Sequence, residues 1–449
     1  CFYLATTRGH ALIIRIQELF NYEQFDLWMN RPGVVLSRLG LIDGARQSLL
    51  LNLHKKRLAR AGVPEQLVDL AKLSAPKVVV SKALKKVTHN NYIDIPLSMQ
   101  DEKQGLTALQ IKVNSIPVYP GAGLKIAGNQ LDKTVMEKLS QGINRLQILV
   151  SNQNGVNSSI VDKIVNSVAP AVGRDLWVVA IGVSDYENDQ LDLNYAAKDA
   201  TDLTQYLAKQ KGVFDHVHTA QILNKAGTKE IIKAAKSFVA RARVDDTVMV
   251  FFSGHGFLDA KMDYYFGTTD IDPYHPVKKG LPYDDMVSLL AGIDARKRVL
   301  FIDSCHSGEV DEDNTEVAEL NQTMATKGMR IRRFKGFKTK KKAGLSTSFE
   351  LLKANFADLT ANNGAIVLSA STGNEYALEN GQWKNGVFTF SILEAMSTFK
   401  TSNVDVNKNQ QLEMSELRDY VYRRVNELTF GQQQPTTRQE PLGLDFRIH

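Results

Sequence analysis

The chain predicts an α/β fold in its C-terminal half, a mostly parallel sheet flanked by helices, preceded by a small all-β sandwich and an N-terminal connector. Three observations carry that reading. Beyond about residue 174, continuous apolar runs alternate with helical patterns, the mark of strands buried on both faces. Between about 75 and 170 the apolar residues instead fall at period two between turn signals. A length of 449 residues also exceeds one ordinary compact domain, and about two or three is the expectation.

Residues 1–72 alternate short apolar runs with basic helical stretches such as Gln47 to Ala61 and read as a partly helical connector. Residues 73–172 carry the period-two segments Tyr92 to Leu97, Leu109 to Val113 and Leu146 to Val150, punctuated by Asn90-Asn91, Pro120-Gly121 and Asn154-Gly155. Short strands with that punctuation predict a sandwich. Residues 173–449 form the α/β domain. Its predicted strands are Leu176 to Val183, Val217 to Leu223, Val248 to Phe252, Val299 to Ile302 and Ala365 to Leu368. Helices are predicted near 195–211, 228–242, 283–292, 387–399 and 414–428.

Composition narrows the function classes. With 43% hydrophobic and 23% charged residues the chain is neither membranous nor disordered overall, and no apolar run reaches the roughly 18 residues of a membrane span. The net charge of +6 is modest for the length and partly local, which argues against a nucleic-acid binder. The two cysteines, Cys1 and Cys305, exclude a disulfide framework and fit a reducing, cytoplasmic setting, with an extracytoplasmic one as the alternative. Cys1 in place of methionine suggests a sequence that starts mid-protein, a lipid-modified terminus being the competing reading.

Chemistry concentrates at two strand ends. Ser253-Gly254-His255-Gly256 follows the third strand of the domain, and Asp303-Ser304-Cys305-His306-Ser307-Gly308 follows the fourth. Ligands of open α/β sheets bind beyond the carboxyl ends of the strands. A thiol and an imidazole delivered there can act as nucleophile and base, the chemistry of a cysteine hydrolase. A buried structural thiol and a histidine in a glycine turn are the bland alternatives; the polar flanks of Cys305 and the matching context of the two motifs weigh against both. His306 is a weaker base candidate because neighbours on an extended chain point to opposite faces. A cysteine-phosphatase loop is excluded, since Asp311 stands where its phosphate-clamping arginine would be.

With Trp177 to Val183 and Leu193-Asn194-Tyr195-Ala196-Ala197-Lys198-Asp199-Ala200, these motifs resemble the caspase-like cysteine peptidases, closest to the bacterial caspase and metacaspase branch. The spacing of about 50 residues between histidine and cysteine fits. The resemblance covers 175–449, and the preceding regions look like those of multidomain bacterial relatives, with an immunoglobulin-like sandwich before the peptidase. It implies a cysteine endopeptidase with His255 as acid/base, Cys305 as nucleophile, and the backbone N–H groups of Gly256 and Cys305 as oxyanion donors. It also implies that Asp199 and Asp303 line a pocket for arginine or lysine. A silent caspase fold acting as a scaffold, and a peptidase cutting after aspartate, are the rival readings. The bland alternative for the two acids is a helix cap or salt bridge at Asp199 and a loop-orienting role for Asp303.

The insertion 309–362 begins acidic and then turns strongly basic, so residues 327–342 read as a flexible loop. Cleavage after basic residues would make Arg330, Arg332, Arg333, Lys335 and Lys342 candidates for self-cleavage; a solvated or nucleic-acid-attracting charge run is the alternative. Asp405, Asn407, Asn409 and Glu416 fall at calcium-loop spacing, but Gln410 stands where glycine is expected, so a polar turn in which Ser415 or a neighbour starts the last helix is the stronger reading; calcium stays a candidate activator, and no cofactor is required. The expected partners are a polypeptide substrate and a regulatory protein or upstream domain.

Overall fold

The computed structural model describes residues 2–7, 10–15, 18–65, 72–210, 212–259, 263–306, 329–332, 364–371, 377–439 and 445–448. The chain divides into two compact units, one formed mainly by Cys1–Val172 and the other running from Gly173 onward.

In the first unit, Phe2–Thr7, His10–Arg15 and Glu18–Asn21 make an antiparallel three-stranded sheet. The helix Gly44–Arg60 follows, its N-terminus capped by the Asp43 carboxylate, which accepts from the Arg46 N–H at 2.7 Å. The period-two segments lie in strands as their patterning requires: Tyr92–Gln100 pairs antiparallel with Gln130–Lys138, and Gly142–Asn152 with Leu106–Val113. The inward residues of these two sheets, among them Ile95, Leu97, Leu109, Ile111, Leu146 and Ile148, form one apolar core. The segment ahead of the sheets packs on this body: Phe25, Trp28, Leu58 and Val63 cluster with Val156, and the Trp28 indole N–H donates to the Asn154 carbonyl at 2.6 Å.

The second unit is built on one central sheet. Its elements in chain order are β1 (Leu176–Gly182), α1 (Ala196–Ala208), β2 (Val217–Leu223), α2 (Thr228–Val239), β3 (Thr247–Leu258), β4 (Tyr264–Phe266), α3 (Tyr283–Ser288), β5 (Lys297–His306), β6 (Met329–Ile331), β7 (Ile366–Ser369), β8 (Leu378–Asn380), β9 (Asn385–Gly386), α4 (Val387–Thr398), α5 (Met414–Leu428) and β10 (Thr436–Gln439). The sheet order is β2-β1-β3-β5-β7-β10, parallel except for β10 at the edge, and β4 adds antiparallel to the end of β3. Successive strand residues feed opposite faces. Trp177, Val179, Ile181, Val250 and Phe252 join a core with α2, while Leu176, Val178, Ala180, Met249 and Phe251 join one with α1, α4 and α5. That division is why these strands read as unbroken apolar runs. A separate small sheet, β6-β8-β9, is antiparallel throughout.

Within the basic stretch 327–342, which the sequence reads as a flexible loop, Met329–Ile331 is a strand paired with β8, with Met329 buried, and the rest of the stretch apart from Arg332 lies outside the described residues.

Candidate functional site

Adjacent parallel strands β3 and β5 bring the two motifs together residue for residue. Ser253 pairs with Asp303, Gly254 with Ser304, His255 with Cys305 and Gly256 with His306. The histidine and cysteine positions are therefore direct neighbours across the ladder, at the carboxyl ends of their strands. Gly256 is also the register partner of Phe266 on β4, so its backbone lies between two strands.

His255 is fully buried. Its Nε2 lies 2.9 Å from the carbonyl oxygen of Leu191, and because a carbonyl can only accept, Nε2 carries the proton and Nδ1 is the basic nitrogen. The backbone N–H of His255 donates to the Tyr186 hydroxyl at 3.0 Å, and the two rings lie 5.3 Å apart. Burial pushes the imidazole down to about 3; the Leu191 hydrogen bond opposes this and the Arg332 charge adds to it. His255 is therefore neutral at physiological pH. Gly254 has to be glycine: a Cβ there would stand 2.9 Å from the Phe266 ring and 3.1 Å from the Tyr186 oxygen.

Beside this pair lies a buried acidic pocket holding a guanidinium. Asp199, from the first turn of α1, and Asp303, on β5, are both fully buried. Arg332, completely buried, places Nη2 2.5 Å from Asp199 Oδ2 and Nη1 3.0 Å from Asp303 Oδ1. Nη1 also donates to the Asp303 carbonyl at 3.0 Å and to Ser253 Oγ at 3.2 Å, while Nε faces Glu379 Oε2 at 3.6 Å. The free oxygens of the two aspartates are tied back. Asp199 Oδ1 accepts from Asn385 and from the Gly386 N–H, each at 3.0 Å, and Asp303 Oδ2 accepts from Thr389 Oγ1 at 2.5 Å. Glu379 is held by Asn194 Nδ2 at 2.6 Å.

Three carboxylates share one guanidinium. Burial opposes the charge of Arg332, but Asp303, Asp199 and Glu379 outweigh it and hold the group protonated above the ordinary arginine range. Burial and the charge of Asp303 push Asp199 up to about 7 even against the pull of Arg332. Gly386 makes the room, since a Cβ there would fall 2.6 Å from Arg332 Nη2 and 2.7 Å from Asp303 Oδ2.

The sequence-named residues thus gather at one end of the sheet. Asp199 neither caps its own helix nor faces solvent; it converges with Asp303 on a single cation. Of the residues named for self-cleavage, Arg330 is exposed on β6 and Arg332 is buried in the pocket, whereas Arg333, Lys335 and Lys342 lie outside the described residues. In the 405–416 loop, Asp405 accepts from the Asn409 and Gln410 N–H groups, Asn407 Oδ1 from Asn409, and Glu416 from Val406. Among the described residues no three His, Cys, Asp or Glu side chains converge as a metal site. Sequence reasoning missed the Leu191 carbonyl, Glu379, Asn385, Gly386 and Thr389.

No helix among the described residues is long and apolar enough to cross a membrane. No curated protein matches the chain. Similar solved structures include a protein from Geobacter sulfurreducens, 18% identical over 59% of this chain and 92% of that one, with a TM-score of 0.38. Caspase-1 from Spodoptera frugiperda is 11% identical over 60% and 87%, with a TM-score of 0.34. A family model described as the caspase domain matches residues 176–446, more than half of the sequence, and the chain therefore belongs to the caspase-domain family.

Proposed function

We propose that this protein is a cysteine endopeptidase that cuts after arginine, and less readily after lysine, with His255 and Cys305 as its catalytic pair. The observation that carries the reading is the buried pocket of Asp199, Asp303, Ser253 and Glu379 beside them, closed around a guanidinium. An aspartate side chain would meet three carboxylates there. A planar fork satisfies oxygens on two sides at once, which a point-charge ammonium cannot do, so arginine outranks lysine.

In this mechanism Nδ1 of neutral His255 takes the thiol proton of Cys305, and the sulfur attacks the pocketed arginine's own carbonyl carbon. The backbone N–H groups of Gly256 and Cys305 stabilise the oxyanion as it forms. The imidazolium then gives its proton to the leaving amine as the C–N bond breaks. Water, deprotonated by His255, finally hydrolyses the thioester. The Leu191 carbonyl fixes the tautomer and supports the positive charge that His255 acquires. No metal takes part in these steps; calcium acting at 405–416 would be an activator.

The test is a peptide library varied at the residue before the cut, run on the full chain and on Cys305→Ala, with and without calcium. Cleavage after arginine, weaker cleavage after lysine, none after aspartate, and loss of all activity in Cys305→Ala are expected. Cleavage after aspartate alone would overturn the pocket assignment. Absence of thiol-dependent cleavage under every condition would favour a silent scaffold.

A further inference from the structure

The guanidinium in the pocket belongs to the chain itself, and the way it is delivered has the form of a bound peptide. Met329–Ile331 lies antiparallel on β8, with Met329 opposite Asn380, Arg330 opposite Glu379 and Ile331 opposite Leu378. The pairing continues one residue further, the Arg332 N–H donating to the Ala377 carbonyl at 2.9 Å. An extended segment added to an exposed strand, with one side chain sunk in a specific pocket, is a general mode of peptide recognition. Here the anchoring side chain reaches Asp199, 133 residues away in sequence, and is completely buried.

The electrostatics make the occupant obligatory in kind, though not in identity. Three buried carboxylates left without a cation would carry the full cost of uncompensated charge. Asp199 Oδ2, Asp303 Oδ1 and Ser253 Oγ are already taken by the Arg332 guanidinium, and the remaining aspartate oxygens by Asn385, Gly386 and Thr389. Arg332 and an incoming arginine therefore cannot share the pocket.

We propose that residues 329–332 are an internal ligand of this pocket, docked so that Arg332 excludes external arginine-bearing peptides until the segment withdraws. The proposal rests on the pocket being the site that reads arginine in a substrate. It makes the enzyme's apparent affinity for such substrates an intrinsic affinity reduced by the fraction of molecules whose pocket is vacant.

The test separates occupancy from catalysis. In a Cys305→Ala background, where nothing is turned over, binding of N-acetyl-arginine methylamide is measured by calorimetry on the full chain with Arg332 and with Arg332→Gln. The expected result is binding about 10-fold tighter or more once Arg332 is removed. Equal affinity, or no binding by either protein, would overturn the proposal. Arg332→Gln can fail to fold, so the unsubstituted Cys305→Ala chain is also followed by hydrogen exchange at the Arg332 amide, now bonded to Ala377. Saturating N-acetyl-arginine methylamide should accelerate that exchange, and unchanged exchange with the probe bound would sink the idea. Tighter binding in Arg332→Gln without cleavage of arginine peptides by any active variant would leave the internal ligand standing and remove the peptidase reading.

Discussion

The central sheet carries an acidic cluster with an arginine at each end, and the two are built on opposite principles. At the amino ends of β1 and β3, Asp175 and Asp246 hold Arg243, at 3.0 Å and 3.4 Å. Asp246 also accepts from the Asp175 N–H, the Arg243 N–H and the Trp177 indole, and Asp175 accepts from His216 and His218. The groups there come from three segments, 175–177, 216–218 and 243–246, each at or just before the start of a strand, and the Arg243 side chain remains 49% exposed. At the carboxyl ends, Asp199, Asp303, Glu379 and Arg332 come from four separated segments, and Arg332 is 0% exposed. The first cluster is a clasp whose acids are matched by their own neighbours. The second is a receptacle with more acid than its neighbours neutralise, which requires a cation from elsewhere.

The largest test of that contrast exchanges one acid at each end. Asp303→Ala should lower kcat/KM for arginine peptides roughly 10²- to 10³-fold, the loss expected when one member of a buried charged hydrogen-bonded pair is removed. Asp246→Ala should leave the preference for arginine over lysine intact, which steady-state kinetics on paired peptides would show. An equal loss of preference from both would erase the distinction between clasp and receptacle.

Stability should move the other way. Asp246→Ala strips acceptors from two backbone N–H groups and an indole, and leaving such donors unsatisfied costs about 1–3 kcal/mol each where water cannot replace the partner. A clear fall in the melting temperature of the second unit is expected, measured by calorimetry on the full chain.

The smallest effect is in pH. Burial would raise Asp175, but hydrogen bonds from His218 and His216 and the charge of Arg243 outweigh it and hold the carboxyl below its usual range. Its contribution to stability is therefore complete above the ordinary aspartate pKa and disappears only as pH falls through the lowered value. Asp199, pushed up to about 7, gains its proton as pH falls below neutrality and loses the charge that attracts arginine. KM for arginine peptides should accordingly rise several-fold between pH 8 and pH 6, while the Asp175 carboxyl stays ionised over that interval. A flat KM would show that Asp199 does not titrate when a substrate arginine is bound.

The five principal strands and the neighbouring histidine and cysteine positions were legible because each depends on a continuous stretch: an apolar run, then a glycine-rich or polar strand end. Asp199 and Asp303 were legible through motif resemblance. The occupant of their pocket was not. Arg332 stands among many basic residues, and nothing local separates it from Arg330 two positions earlier, which is exposed. What distinguishes them is strand alternation on β6 and partners that are remote in sequence, a property of the tertiary fold. Leu191 escaped for a different reason: its contribution is a backbone carbonyl, to which residue type is nearly indifferent.

The small sheet β6-β8-β9 also sets a conformational demand on anything that enters. β8 has β9 on one side and β6 on the other, so departure of β6 frees a single backbone edge. A newcomer can bond to that edge only with its chain drawn out over the three residues before its arginine. Arginines within helices or tight turns of folded proteins cannot meet this requirement, however exposed their side chains. The choice of target would therefore be made by local unfolding as much as by charge, and arginines in unstructured linkers would be cut first.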